Sequence, residues 1–221
     1  MTIKSSGIPF FILMFQLIIP AVINQFGIVS AQQFINKGLL RAQGNISSGV
    51  MFKSPGTNIY LHGDLEYYLE PGISIRSESY YFLSTFNGEP AFSKNHSNFA
   101  GVMYHFKTNG KLDPYVGIQP GIALTQLSKP VLLSADTASW SPYTVSSYPV
   151  NFSPLFSASA GFNFYAYKFF NLFVHLKYVT GKHLSDIQPE SLNEIKLTFG
   201  LGWNIWLIKN KLKVSENNNQ E

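Results

Sequence analysis

The sequence predicts an all-β protein, an eight-stranded antiparallel up-and-down transmembrane β-barrel that follows an N-terminal signal peptide. Three observations predict this fold: an apolar leader, a period-two alternation along most of the remaining chain, and links between strands that alternate in length. The composition agrees with it. Charged residues make up 13% and aromatic residues 15% of the 221 residues, whereas about a quarter of the residues in ordinary soluble domains are charged.

Residues 1–31 have the organisation of an export signal. Lys4 precedes an apolar run over 8–23, and a mildly polar stretch then ends in Val29-Ser30-Ala31. A positive residue, an apolar segment and small residues before a cleavage point are the parts of a secretory signal peptide. The rival interpretation is a membrane anchor, but a spanning helix needs ~20 apolar residues. We therefore expect cleavage after Ala31.

Residues 32–207 carry the alternation of strands that have one apolar and one polar face. Along 57–69, for example, Leu61 and Leu65 alternate with His62 and Asp64. No segment here approaches the length of a spanning helix. The alternation predicts eight strands, at 39–52, 57–69, 73–85, 98–107, 114–127, 152–166, 170–180 and 193–207.

The links between these strands alternate in length. Short links are predicted at 70–72, 108–113 and 167–169, and long links at 86–97, 128–151 and 181–192, with 53–56 as the exception. Outer-membrane barrels have short periplasmic turns, longer outer loops and an even number of strands. The order of the links therefore predicts that both termini are periplasmic, including a polar tail over 208–221. Pro71-Gly72 predicts a type II turn, in which Gly72 would adopt a positive φ.

Alternation alone fits a soluble ligand-binding barrel with an apolar cavity as well as a membrane barrel with an apolar outer surface. The charges favour the membrane barrel, because the polar faces carry both arginines and equal numbers of the two signs. A narrow interior would satisfy such charges by pairing them. The predicted interior charge network comprises Arg41, Asp64, Glu66, Arg76, Glu78, Lys177, Glu194 and Lys196. The soluble barrel, with these charges in water, remains the alternative.

The turn at 70–72 also predicts a register. Cross-strand partners share a face, so the tight turn places Glu66 opposite Arg76 and Asp64 opposite Glu78. Long and charged interior side chains in balance predict a plugged barrel that does not conduct.

Aromatic residues cluster near the predicted short-turn ends of the strands. Such clustering is typical of the aromatic girdle at a membrane interface. The predicted girdle comprises Tyr67, Tyr104, Phe106, Tyr115, Tyr165, Tyr167, Phe169, Phe170, Trp203 and Trp206.

Two glycine- and aromatic-rich strand segments, 114–121 and 197–204, resemble the outer-membrane β-barrel domain family of the small OmpA/OmpX-like class. The Ala31-Gln32 step is similar to exported proteins of Bacteroidetes-type bacteria. The resemblance covers residues 34–207 and rests on loose glycine and aromatic patterns. It implies an integral protein of the cell outer membrane, in contact with outer-membrane lipid and lipopolysaccharide, and no particular activity.

A second resemblance concerns chemistry. His183-Leu184-Ser185-Asp186, followed by Glu194, is similar to the His-x-Ser-Asn…Glu pattern of lipid A 3-O-deacylases, which are also outer-membrane barrels. It implies Ser185 as nucleophile, His183 as general base and Glu194 as the carboxylate that orients it. Asp186 stands where the family has Asn. The alternation of inward and outward side chains, extended to His183 and Glu194, puts both inside the barrel, whereas the family's site faces lipid. The esterase remains an alternative to a non-enzymatic barrel.

Other functional classes find little support. The chain has no cysteine, so thiolate metal sites are excluded. His62, His105 and His175 fall on polar faces but on different strands without ligand spacing, so neither a metal nor a cofactor is predicted. The basic residues are scattered, which disfavours nucleic acid as a partner. A protein or surface ligand bound by the loops 86–97, 128–151 and 181–192 is the expected partner, because loops on rigid scaffolds carry function.

Overall fold

The computed structural model describes residues 35–54, 56–128, 148–184 and 190–207. The predicted signal peptide 1–31 and the predicted tail 208–221 lie outside these ranges. No helix in the described ranges is long and apolar enough to cross a membrane.

The described chain folds into nine antiparallel strands, of which eight close a barrel. The last strand pairs with both the first and the seventh, so the sheet has no open edge. The eighth is a two-residue strand that pairs only with the end of the seventh. The predicted fold class is confirmed. The strands are β1 (Leu39–Met51), β2 (Thr57–Glu70), β3 (Ile73–Phe86), β4 (Phe92–His105), β5 (Leu112–Leu127), β6 (Asn151–Tyr167), β7 (Phe170–His183), β8 (Glu190–Ser191) and β9 (Glu194–Trp206).

Two of the predicted long links are shorter than expected. β4 begins at Phe92 rather than 98, which reduces the link 86–97 to five residues, 87–91, and β7 continues to His183. A fourteen-residue strand such as β4 is about 46 Å long at ~3.3 Å per residue. At a tilt of ~40° it spans about 35 Å, more than the ~25 Å apolar band of a membrane barrel. Strand residues beyond the band need not be apolar on their outer face, so the alternation fades there, as at Lys94.

The two faces of the barrel are inverted relative to a soluble protein. On the outer face, Leu61, Phe199 and Leu201 are 54%, 58% and 45% exposed, whereas the Arg41 and Arg76 side chains inside are fully buried. An apolar surface of this extent is not compatible with a monomer in water. The soluble barrel with an apolar cavity is therefore wrong, and the sheet has the facing of a transmembrane barrel.

Exposed aromatic residues surround the short-turn end, as predicted for a girdle. They include Tyr104 and Phe106, whose rings lie 5.1 Å apart, and Trp203. The prediction that Tyr115 and Tyr165 belong to the girdle is wrong, because both side chains are buried inside the barrel. Apolar and aromatic residues lie on both faces of these strands, since Val116 and Phe162 are exposed near the buried Tyr115 and Tyr165, so residue type did not identify the face at either position.

Both ends of the described chain lie at the short-turn end. The Gly38 amide donates to the Tyr68 carbonyl at 2.9 Å, and the Leu207 amide donates to the Gly38 carbonyl at 3.0 Å. The predicted type II turn is wrong in detail, since the positive φ angles among the described glycines belong to Gly38 and Gly56 and not to Gly72. A register shift between Tyr68 and Glu70 precedes the turn, so the chain reverses from an irregular strand end.

Candidate functional site

The barrel interior is the most unusual part of the molecule. Among the described residues, nine Asp, Glu, Lys and Arg side chains are buried in it: Arg41, Asp64, Glu66, Arg76, Glu78, Asp113, Lys177, Glu194 and Lys196. Eight of them are the residues that the sequence assigned to an interior charge network. Asp113 was missed because it precedes the predicted start of its strand at 114. The inward side chains fall into three groups along the barrel axis.

The lower cluster lies nearest the short-turn end and comprises Arg41, Glu66, Arg76, His105 and Asp113. Glu66 lies opposite Arg41 on β1 and opposite Arg76 on β3, so the predicted register is confirmed. Its carboxylate accepts from the Arg41 guanidinium and, at 2.8 Å, from Arg76 Nη2. Arg41 Nη1 also lies 3.4 Å from Asp113 Oδ2. One carboxylate therefore holds two arginines that have no contact with water.

His105 joins the two carboxylates of the lower cluster. Its Nε2 lies 2.9 Å from Glu66 Oε1, and its Nδ1 lies 2.8 Å from Asp113 Oδ1. An ionised carboxylate only accepts hydrogen bonds, so a ring that donates to both must carry both protons. With His105 as an imidazolium, the described interior holds five buried cationic groups and five buried carboxyl groups.

The central cluster comprises His62, Asp64, Glu78, His175 and Lys177. Lys177 Nζ lies 2.6 Å from Glu78 Oε2 and 4.2 Å from the centre of the Phe99 ring. Such cation–π contacts are strongest where the cation is desolvated. One potential ligand atom from each of His62, Glu78 and His175 lies within 4.8 Å of the others. His62 and Glu78 are diagonal neighbours on the paired strands β2 and β3. The sequence did not predict the grouping because His175, on β7, meets them only across the closed barrel.

The upper cluster lies nearest the long links and is built around Glu194. Lys196 Nζ is 2.9 Å from Glu194 Oε2. The Tyr60 hydroxyl and the Asn58 side-chain amide donate to Glu194 Oε1 at 2.8 and 3.0 Å. This carboxylate is therefore saturated with donors from β2 and β9.

Apolar and aromatic side chains close both ends of the interior. The lower closure comprises Ile35, Leu39, Tyr68 and Tyr165, with Trp206 packed against them. The upper closure comprises Met51, Tyr60, Tyr80, Phe82, Phe92, Phe99, Ala123, Leu155, Val179 and Leu192. The charged side chains of the three clusters are themselves buried.

The residues of the predicted esterase set have separate partners. His183 is buried at the outer end of β7, where its Nδ1 lies 2.7 Å from Thr125 Oγ1 and its ring packs edge-on against Phe92. Glu194 belongs to the upper cluster. No hydrogen bond joins His183 to Glu194, two residues that the structure describes. Ser185 and Asp186 lie outside the described ranges.

An apolar outer face around a closed, polar interior defines the class of transmembrane β-barrels. No protein-family model matches the chain, and no curated protein matches it.

Solved structures do match. Neisserial surface protein A is 11% identical, with 76% of this chain and 96% of that chain covered and a TM-score of 0.55. The N-terminal β-barrel domain of Pseudomonas aeruginosa OprF is 14% identical over 76% of this chain and 98% of that one, with a TM-score of 0.49. Ail, the attachment invasion locus protein of Yersinia pestis, is 9% identical over 76% and 99%, with a TM-score of 0.49. The likeness to the neisserial protein shows that this chain has the fold of a small outer-membrane β-barrel.

Proposed function

We propose that the chain is an integral outer-membrane protein that does not conduct ions and that has a structural or interaction role through its outer loops. The observation that carries this proposal is the closure of the interior at both ends. A barrel without an open lumen meets its surroundings only through its lipid face and its loops. The Ala31-Gln32 step adds support for export in a bacterium of the Bacteroidetes type.

The orientation follows from the links. The described chain ends and the short turns share one end of the barrel, and periplasmic turns are the short ones in bacterial barrels. We therefore place both termini in the periplasm. The opposite end carries the link 128–150, the longest between described strands. Part of this link packs on the rim, because Tyr148 is 5% exposed and its carbonyl accepts from Gln126 Nε2 at 2.7 Å.

The first test of the proposal is electrical. Purified, folded protein in a planar bilayer should give no steady single-channel current, because the two closures and the paired charges leave no continuous aqueous path. A sixteen-stranded porin in the same membrane is the positive control, and the heat-unfolded protein is the negative control. Reproducible conductance steps from the folded barrel would contradict the non-conducting role.

The second test concerns the loops. A photo-crosslinking amino acid placed at Trp140 in the long link should give a discrete cross-linked product with a protein or glycan ligand in intact cells. The same group at Asn109, in a turn at the opposite end, is the matched control and should not give that product. A product that forms only from Asn109 would reverse the proposed orientation. If Trp140 and several neighbouring loop positions all give none, the interaction role is refuted.

A further inference from the structure

We propose that the central cluster is a buried site for a divalent transition-metal ion, with Zn²⁺ as the reference ligand and with His62, His175 and Glu78 as protein ligands. One donor atom from each residue lies within 4.8 Å of the other two. Donor atoms at ~2.0–2.1 Å from a tetrahedral zinc ion are about 3.3 Å apart. Small side-chain rotations therefore bring the three donors into a single coordination sphere.

The hydrogen bonds around His62 prepare one of its nitrogens as a ligand. The Asn45 side-chain amide donates to the Phe199 carbonyl, which turns Asn45 Oδ1 towards His62 Nδ1 at 3.2 Å. His62 Nδ1 must then be the donor, and Nε2 keeps its lone pair. Nε2 is buried and has no hydrogen-bond partner among the residues that the structure describes. A ring held through one nitrogen, with the other free to coordinate, is the usual outer-shell arrangement of a metal-binding histidine.

His175 provides a second, independent observation. The side chain is 1% exposed, and neither ring nitrogen has a hydrogen-bond partner within the described ranges. A buried donor or acceptor without a partner costs roughly 1–3 kcal/mol, so an imidazole that leaves both positions unused requires an explanation. Coordination through one nitrogen satisfies the lone pair that no protein group reaches.

The carboxylates complete the ligand set. Glu78 Oε2 lies 3.9 Å from His62 Nε2 and is held by Lys177 at 2.6 Å. Glu78 Oε1 lies 3.7 Å from Arg76 Nη1 and accepts no hydrogen bond from the described residues. In the described part of the chain, neither oxygen of Asp64 has a hydrogen-bond partner, and Oδ2 lies 3.8 Å from His62 Nε2. Glu78 Oε1 is thus available to the metal with Lys177 still in place, and Asp64 is positioned to supply a fourth ligand.

The donor types select the class of ion. Two imidazoles with one or two carboxylates suit Zn²⁺, Ni²⁺ and Cu²⁺, whereas Ca²⁺ and Mg²⁺ require six or more oxygen ligands. The positive charges of Arg76 and Lys177 beside Glu78 weaken the site's attraction for any cation. The carboxylate of Asp64 offsets this repulsion. Because both ends of the interior are closed, the ion must enter while the barrel folds, and a chelator added later should remove it only slowly.

The test is metal retention by the full chain. The protein is refolded into detergent micelles with Zn²⁺, treated with a chelator after folding, and measured for bound metal by mass spectrometry. Folding is followed separately by heat-dependent mobility on a gel. We expect about one zinc ion per folded chain, and at least a tenfold loss in His62→Gln and in His175→Gln. His96→Gln is the matched control, because this histidine stacks on the outward-facing Tyr81 at 4.2 Å, and it should retain the metal.

Equal zinc content in the wild type and in both folded variants would overturn the proposal, as would a folded wild type that retains none. If the variants fail to fold, cobalt keeps the proposal testable with the wild type alone. Refolding with Co²⁺ should give the visible absorption of a low-symmetry imidazole complex, and Ca²⁺ should not compete for the site. The absence of that absorption in the folded protein would also overturn it.

Discussion

The substitution Glu66→Ala should lower the free energy of unfolding by ~3–5 kcal/mol, the cost that is typical when one partner of a buried ion pair is removed. Glu66 is fully buried and accepts from Arg41, Arg76 and His105. The substitution leaves these cationic groups short of an acceptor in a closed interior. Unfolding by urea in lipid vesicles, with β-structure followed by circular dichroism, measures the change.

Glu70→Ala is the matched control, since it is the same substitution on the same strand. Glu70 pairs with Lys37 at 3.0 Å, but both side chains are about 60% exposed. Exposed pairs contribute little to stability, so Glu70→Ala should leave the unfolding midpoint almost unchanged. Equal effects at the two positions would show that Glu66 is not held in a dry interior.

A double-mutant cycle tests the pairing itself. Glu66→Ala and Arg76→Ala should be less than additive, with a coupling of about 0.5–3 kcal/mol, because the second substitution removes a charge that the first had left without its partner. Strict additivity would contradict both the 2.8 Å contact and the β2–β3 register on which it depends.

The substitution Leu61→Arg on the outer face should cost ~2–4 kcal/mol if the side chain lies near the middle of the bilayer. Leu69→Arg, on the same face of β2 but at the short-turn end, should cost only ~0–1 kcal/mol, because an arginine there reaches the headgroups. Folding yield and stability in vesicles measure both changes. If Leu69→Arg is the more damaging of the two, the apolar band has been placed at the wrong height.

The strands and their facing could be predicted because each depends on a local pattern. A strand with one apolar and one polar face shows a period of two in its sequence. A tight turn determines which residues of the two strands lie opposite each other, and this was enough to pair Glu66 with Arg76. Where residue type no longer separates the two faces, the prediction fails, as at the start of β4 and at Tyr115 and Tyr165.

Contacts across the interior could not be predicted in the same way. Which inward side chains meet across a barrel depends on strand tilt and on the stagger of the closed sheet, and neither is visible in sequence spacing. His62 and His175 therefore looked like isolated histidines on separate strands, although closure brings them to the same cluster. Asp113 was missed for a simpler reason, because it had been assigned to the predicted link 108–113, whereas β5 begins at Leu112.

The ion pairs of the interior also differ in how far apart their partners lie along the chain. Glu66 and Arg76 are 10 residues apart in the β2–β3 hairpin, and His105 and Asp113 are 8 residues apart in the β4–β5 hairpin. Glu194 and Lys196 share β9. These partners can neutralise each other as soon as a hairpin forms, before the eight strands have closed. Six of the ten buried ionisable groups counted above can therefore be paired before the barrel closes. Lys177 of β7 and Glu78 of β3, by contrast, come together only when the barrel is complete.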